Sequence, residues 1–465
     1  MIALTLGEVA RIVDGTLHDA DAGTVVTGSV EFDSRQVGPG GLFLALSGER
    51  VDGHRFTTAA AAAGAVASIV TRPAAGPAIR VGDGYGALAA LAAAVVRRLP
   101  DVTVVGVTGS SGKTSTKDVL AQLLAPLGPT VAPPGSFNNE LGHPHTVLRA
   151  DDHTRYLVLE AGARGIGHIR HLAEIAPPRI GVVLNVGSAH LGKFGSRRAI
   201  AQAKAELVEA LPAGGVAVLN ADDPSVMAMA GRTAARAVTV GTAPSAAVRA
   251  TDVVVDHLGR ASYQLHAGGD RAPVSLRMVG QQAVGNTLAA AAVALECGLD
   301  VPGVAAALGE VRPVSRWRME VTERPDGVLV VNDAYNANPE SMRAALDTLA
   351  TIGRSRVGRS FAVLGPMAEL GDDAPAEHDA IGRLAVDLNL SRLVVVGDTA
   401  RPILHGAARQ GPWDGQSAWV PDADAAVALL RAELRPGDAV LVKASRAVGL
   451  ERVALALAGD GSGGE

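Results

Sequence analysis

Short apolar runs that end abruptly in glycine or polar residues recur along this chain. Between residues 99 and 313 they read "VTVVGVT" (102–108), "YLVLEAG" (156–162), "IGVVLNVGSAH" (180–190) and "GVAVLNADDP" (215–224). Near-continuous apolar strands separated by helical patterns predict a parallel sheet covered on both faces. Ligands of such sheets bind beyond the carboxyl ends of the strands, where these polar tails fall. Residues 250–279 alternate instead, which predicts an antiparallel meander, and the helix "NTLAAAAVALECG" that follows stops at Gly298. The strand–helix grammar resumes with "VLVVNDAYNANP", "SFAVLGPM", "LVVVGD" and "AVLVKASR". Residues 1–98 mix short strands with two alanine-rich helices, the second containing "GALAALAAAVV" (86–96). The pattern therefore predicts three α/β blocks, 1–98, 99–313 and 314–465, with the tail "AGDGSGGE" expected to be disordered.

Composition narrows the class of protein. With 465 residues, 48% hydrophobic and 19% charged, the chain reads as globular, with length for about three domains. The net charge of -5, with lysine and arginine spread along the chain, argues against a nucleic-acid surface. The single cysteine, Cys297, excludes an intrachain disulfide and fits a reducing compartment. Glu8 and Arg11 interrupt the amino-terminal apolar pattern too early for a signal peptide, and the run 86–96 is shorter than the roughly 20 residues of a membrane span. A soluble cytoplasmic protein is expected.

The chemistry concentrates in a few strand ends. "GSSGKTS" (109–115) joins the strand 102–108 to a helical pattern. Small residues there let successive N–H groups curl around phosphate oxygens at a helix amino terminus, with Lys113 between two phosphates and the Thr114 hydroxyl on a magnesium ion. The general pattern G-x-x-x-x-G-K-[ST] requires glycine at 107, where this chain has Val107. Glu160 closes the next strand and suits either a metal or a salt bridge. His190 closes a third and suits either a ligand or a cap. Lys204, in the helix after it, reads as a solvated lysine, and Asp222 and Asp223 in "NADDP" as a strand-ending turn. In "NDAYNANPESM" Asp333 could hold ribose hydroxyls, and Tyr335 and Asn336 could contact a base. Arg316 and Lys443 are isolated cations with no reading of their own.

Together these stretches resemble the Mur ligases, ATP-dependent amide-forming enzymes of peptidoglycan precursor synthesis. The family's phosphate loop, G-x-T-G-[STN]-x-G-K-[ST], matches Gly106, Thr108, Gly109, Gly112, Lys113 and Thr114, with Ser110, Ser111 and Ser115 completing the segment. The resemblance implies a small UDP-sugar-binding α/β domain, a central parallel-sheet ATPase domain and a Rossmann-like carboxyl-terminal domain that closes over ATP. In "FDSRQVGPGGLFLALSGERVDGHRF" it implies UDP-sugar contacts at Ser34, Arg35, Asp52 and His54, beside Gly53. In "GSFNNELGHP" it implies substrate contacts at Asn138 and Asn139. Two magnesium ions are implied on Thr114, Glu160, His190 and Lys204, the last carbamylated, and nucleotide contacts at Asn286, Arg316, Asp333, Tyr335 and Asn336. "NDAYNANPESM", "LGPMAELGDDAPAEH" and "VKASRAVGLE" resemble the branch of the family that adds D-alanyl-D-alanine to a UDP-N-acetylmuramoyl-tripeptide, with Lys443, Ser445 and Arg446 as implied substrate contacts. The implied assembly is a monomer. Departures at His168, Gln282, Ser315, Asn332, Pro366 and Ala444 leave a sister ligase with another amine, or a non-catalytic nucleotide or muropeptide binder, as the rival readings.

Overall fold

Each block folds around its own sheet. The computed structural model describes residues 1–48, 51–188 and 191–459. In the first block the strand order is Thr16–His18, Ala78–Arg80, Ala65–Val70, Gly41–Leu44 and Val30–Glu31, parallel after the first pair. The alanine-rich run forms the helix Gly84–Arg97. Its start is set by Asp83, whose carboxylate accepts from the N–H groups of Tyr85 and Gly86. Its face of Ala87, Leu88, Leu91, Ala92 and Val95 is buried in a core shared with Val147, Leu148, Leu157 and Ile169 of the central block, so these two blocks are packed as one. Among the described residues no helix is long and apolar enough to cross a membrane.

The central sheet has nine strands. Six of its strands run parallel in the order Arg236–Gly241, Val216–Asn220, Ile180–Val183, Thr103–Thr108, Tyr156–Glu160 and Thr130–Val131. Val248–Val255 continues this parallel order, and Arg260–Ala267 and Asp270–Val279 close the sheet antiparallel. This is the alternating segment expected from the period-2 pattern. Thr103–Thr108 sits near the middle, with Val107 in register with Glu160 on one side and Val182 on the other. Val107 is fully buried and packs into the core with Val119, Leu120 and Leu123 of the following helix. A glycine there would open a void beneath that helix. The turn "NADDP" is structural: Asp223 caps the helix Pro224–Met227 and Asp222 accepts from the N–H groups of Thr242 and Ala243.

The third block has six strands, ordered Glu320–Glu323, Leu329–Asn332, Ala439–Lys443, Ser360–Leu364, Arg392–Val396 and Gln416–Val420, parallel except for the first. Its cores are largely its own. The linker into it is held by the phosphate-loop helix Lys113–Leu124: Gln122 exchanges hydrogen bonds of 2.9 and 3.0 Å with the backbone of Arg312, and Asp118 accepts from the Ser315 N–H at 3.1 Å. Asp118 is itself paired with the buried Lys117. The carboxyl strand ends of the central and third sheets face one cleft.

Candidate active site

The cleft, about 810 Å³, lies between the central and third blocks. Its floor is the phosphate loop. Gly112 precedes the helix with φ of 83°, a conformation that costs little only for glycine, and a Cβ there would lie 2.4 Å from the Asn286 amide oxygen. Loop shape is set by Asn185, which accepts from the Ser111 N–H at 3.0 Å, and by Ser110, whose hydroxyl accepts from the Gly187 N–H at 2.8 Å. Thr108 is buried beneath, donating to the Ala161 carbonyl at 2.8 Å. The Lys113 ammonium donates to the Gly109 carbonyl at 2.7 Å, folded over the loop where a phosphate chain would lie. Burial pulls its pKa down and Arg318 adds to this, while Glu160 opposes it. Gly109, Ser115 and Asn286 also line the cleft.

Behind the lysine, Glu160 is completely buried. One carboxylate oxygen accepts from the Thr114 hydroxyl at 3.3 Å and the Ser136 hydroxyl at 3.2 Å, and its other oxygen, Oε1, has no partner. Burial raises its pKa and the nearby cations Lys113, Arg318 and Lys117 pull it back. An orphaned buried carboxylate oxygen beside a hydroxyl is a hard-oxygen setting that suits magnesium, which takes few protein ligands and keeps phosphate oxygens and waters. Among the described residues no three His, Cys, Asp or Glu side chains gather as a metal cage. His190 lies outside the described residues. Lys204 is buried at the cleft wall rather than solvated as its sequence context suggested, and burial drives its pKa well down, with Lys113 adding to this and Glu340 opposing it.

The opposite wall comes from the third block. Lys443, nearly inaccessible, is ion-paired with Asp333 and donates to the Asn336 carbonyl at 2.9 Å. The Asp333 carboxylate also accepts from the Met319 N–H at 3.0 Å. Ser445 accepts from the Ala368 N–H at 2.8 Å, and Arg446 stacks 4.3 Å over Trp317. Asp333, Tyr335, Asn336, Lys443, Ser445 and Arg446 all line the cleft. The expected nucleotide contact Arg316 does not: it is exposed and outside the lining. Arg318, two residues on, faces the cleft, its guanidinium 4.2 Å over the Tyr335 ring and its Nε buried without a partner. The cause is local: Trp317 and Met319 both take left-handed backbone, φ of 59° and 51°, which turns the intervening side chain inward. Nothing in the one-dimensional pattern separates these two arginines of "SRWRMEV".

In the first block, Ser34, Arg35, Asp52 and His54 lie apart from the cleft lining. Arg35 is mostly exposed and paired with Asp33. The His54 ring is fully used: Nδ1 lies 2.7 Å from Asp52 and Nε2 accepts from the Thr71 N–H at 3.0 Å, which assigns the proton to Nδ1. Asp52 is also paired with Arg72. This block meets the central block at Phe32, whose ring lies 6.4 Å from that of Phe137 and 5.0 Å from that of His145. Phe137 adjoins Asn138 and Asn139, both cleft-lining, and Asn138 donates to the Ser136 hydroxyl at 3.0 Å.

A glycine loop at a helix amino terminus, a lysine and a buried carboxylate at neighbouring strand ends, and a facing α/β block define a nucleotide-dependent phosphoryl-transfer enzyme. The chain belongs to the Mur ligase family: family models match as Mur ligase family, catalytic domain (27–107), Mur ligase middle domain (107–294), and Mur ligase, glutamate ligase domain (317–446). It is 56% identical, over 99% of this chain and 98% of the relative, to the UDP-N-acetylmuramoyl-tripeptide–D-alanyl-D-alanine ligase of Mycobacterium tuberculosis H37Rv. It is 34% identical, over 99% of this chain and all of the relative, to the enzyme of the same name from Escherichia coli K12. Among solved structures, MurF from Acinetobacter baumannii superposes with a TM-score of 0.88 at 30% identity, over 98% of this chain and 99% of that one. MurF ligase from Thermotoga maritima, in complex with ADP, superposes with a TM-score of 0.80 at 31% identity, over 94% and 98%.

Proposed function

We propose that this protein joins D-alanyl-D-alanine to the terminal carboxylate of a UDP-N-acetylmuramoyl-tripeptide, converting ATP to ADP and phosphate. The observation that carries the reading is the meeting of Lys113 and Thr114 in a cleft walled by Arg318 and Lys443, with the buried Glu160 and its orphaned oxygen behind them, in a chain alike over its full length to ligases of that name. The division of labour would follow the blocks: 1–98 for the UDP-sugar, 99–313 for ATP, and 314–465 to close over ATP and the dipeptide. The single cysteine, Cys297, fits a reducing, cytoplasmic setting.

The physical task is to bring two anions together. The tripeptide carboxylate attacks the γ-phosphorus, ADP leaves, and an acyl phosphate results. The dipeptide amine then attacks the acyl carbon, phosphate leaves and a proton is released. Lys113 and Arg318 would hold the phosphates and spread their charge, and Asn138 and Asn139 would position the reacting peptide end. Thr114, Glu160, Lys204 and the undescribed His190 are our candidates to hold magnesium, which when bound neutralises charge on the transferred phosphoryl group. A carbamate on Lys204, formed by attack of the unprotonated amine on carbon dioxide with loss of a proton, would place a carboxylate-like ligand at that position. Closure of the third block would keep water from the acyl phosphate.

The test is phosphate release and product mass with ATP, UDP-N-acetylmuramoyl-tripeptide and a panel of amines. D-alanyl-D-alanine is expected to give both. Turnover with a different amine only, or nucleotide binding without phosphate release, overturns the proposal.

A further inference from the structure

The third block touches the phosphate loop through one short turn at the start of the helix Pro339–Ser355. Asn338, the cap of that helix, donates from its side-chain amide to the Ser110 carbonyl at 3.3 Å. Two residues on, the Glu340 carboxylate accepts from the Ser188 N–H at 2.7 Å and the Ser188 hydroxyl at 2.9 Å. It lies directly over Gly187, where a Cβ would come within 2.5 Å of the Glu340 Cδ. The Gly187 N–H in turn donates to the Ser110 hydroxyl at 2.8 Å. Ser110 is therefore held at its carbonyl by Asn338, and at its hydroxyl by a glycine that Glu340 covers. The same two blocks also meet where Lys193 pairs with Glu369 at 3.0 Å, and where a Cβ on Gly192 would lie 2.6 Å from the Gly371 nitrogen.

We propose that Glu340 is a positioning residue through which the docked third block sets the shape of the phosphate loop, by way of Ser188, Gly187 and Ser110. This rests on the reading of the cleft as a ligase site. The loop's N–H groups stabilise a transferred phosphoryl group only if their directions are preset, and a carboxylate bonded to a backbone N–H is a strong, short fixing point. Glycine at 187 is what lets the carboxylate approach; the preceding Val186 is held separately, its N–H by Asp223 and its carbonyl by Arg197. Docking of the third block thus completes the ATP site as well as covering it. Glu340 does not touch the reacting atoms in this scheme.

Three variants of the full-length protein test it. Glu340→Ala is expected to lower kcat about tenfold or more, with KM for the tripeptide within about twofold, because the tripeptide is held chiefly by the first two blocks. Hydrogen exchange at 109–112 and 187–188 should quicken in the same variant while the melting temperature stays put. Glu340→Gln keeps an accepting oxygen over Ser188 and should recover at least half of the lost rate. Ser188→Ala combined with Glu340→Ala should be no slower than Glu340→Ala alone. Unchanged exchange at 109–112 in Glu340→Ala, or kcat within twofold of the parent, overturns the proposal. A parent protein that releases no phosphate with D-alanyl-D-alanine would instead overturn the functional reading, and the exchange measurement would still decide this one.

Discussion

The Arg318 guanidinium lies 4.2 Å over the ring of Tyr335 and bears electrostatically on both Lys113 and Glu160, across the cleft from the block that carries it. A second block thus supplies a fixed positive charge to the phosphate site. Arg318→Ala is expected to lower kcat/KM for ATP by roughly a hundredfold to a thousandfold, since one group stabilising developing charge is worth that much. Arg318→Lys should recover little, because a point charge does not stack as a guanidinium does. Arg316→Ala should stay within about twofold. Steady-state kinetics on the three variants checks the assignment, and equal losses at 316 and 318 would refute it.

Lys204 is buried with its pKa driven well down, which favours the unprotonated amine, the form that reacts with carbon dioxide. Lys204→Ala is expected to be inactive, and short carboxylic acids such as acetate should restore part of the rate by standing in for the carbamate. Rescue by added amines in place of acids would point to an ordinary cationic role.

Val107→Gly restores the general phosphate-loop spacing and tests why this chain departs from it. The side chain is fully buried between Glu160 and Val182. Removing it should cost about 3 kcal/mol, from a lost core side chain and a more flexible strand. Urea denaturation should register that loss with no gain in nucleotide affinity. A variant as stable as the parent would mean the position is not set by packing.

His143 is buried with Nδ1 3.0 Å from the Glu160 carbonyl, and burial pulls its pKa down to about 4. His54 and His378 are shifted in the same direction by burial. A folded pKa below the unfolded value of about 6.5 means that the unfolded chain takes the proton first. The associated stability is therefore intact above about pH 6.5 and is lost as the pH falls toward 4. For His143 alone the change between pH 7 and pH 5 is on the order of 2 kcal/mol. Denaturation at the two pH values should show this slope, and His143→Asn should flatten it; an unchanged slope in the variant would rule His143 out as its source.

Much of the architecture was legible in the chain itself, because it rests on local patterns. Apolar runs ending in polar residues marked the parallel strands and their functional ends. The alternation at 250–279 marked the antiparallel edge, and Gly112-Lys113-Thr114 marked the phosphate site. Side-chain direction and long-range partners were beyond such patterns. Whether Arg316 or Arg318 enters the cleft depends on two left-handed residues that carry no glycine to announce them. Lys443 meets Asp333 across 110 residues, and Glu340 meets Ser188 across 152. Lys443 and Asp333 become neighbours when their strands pair in the third sheet, and Glu340 and Ser188 only when two separately cored blocks dock. Backbone periodicity is written residue by residue, but the charges that complete this site are brought together by docking, which only the tertiary structure decides.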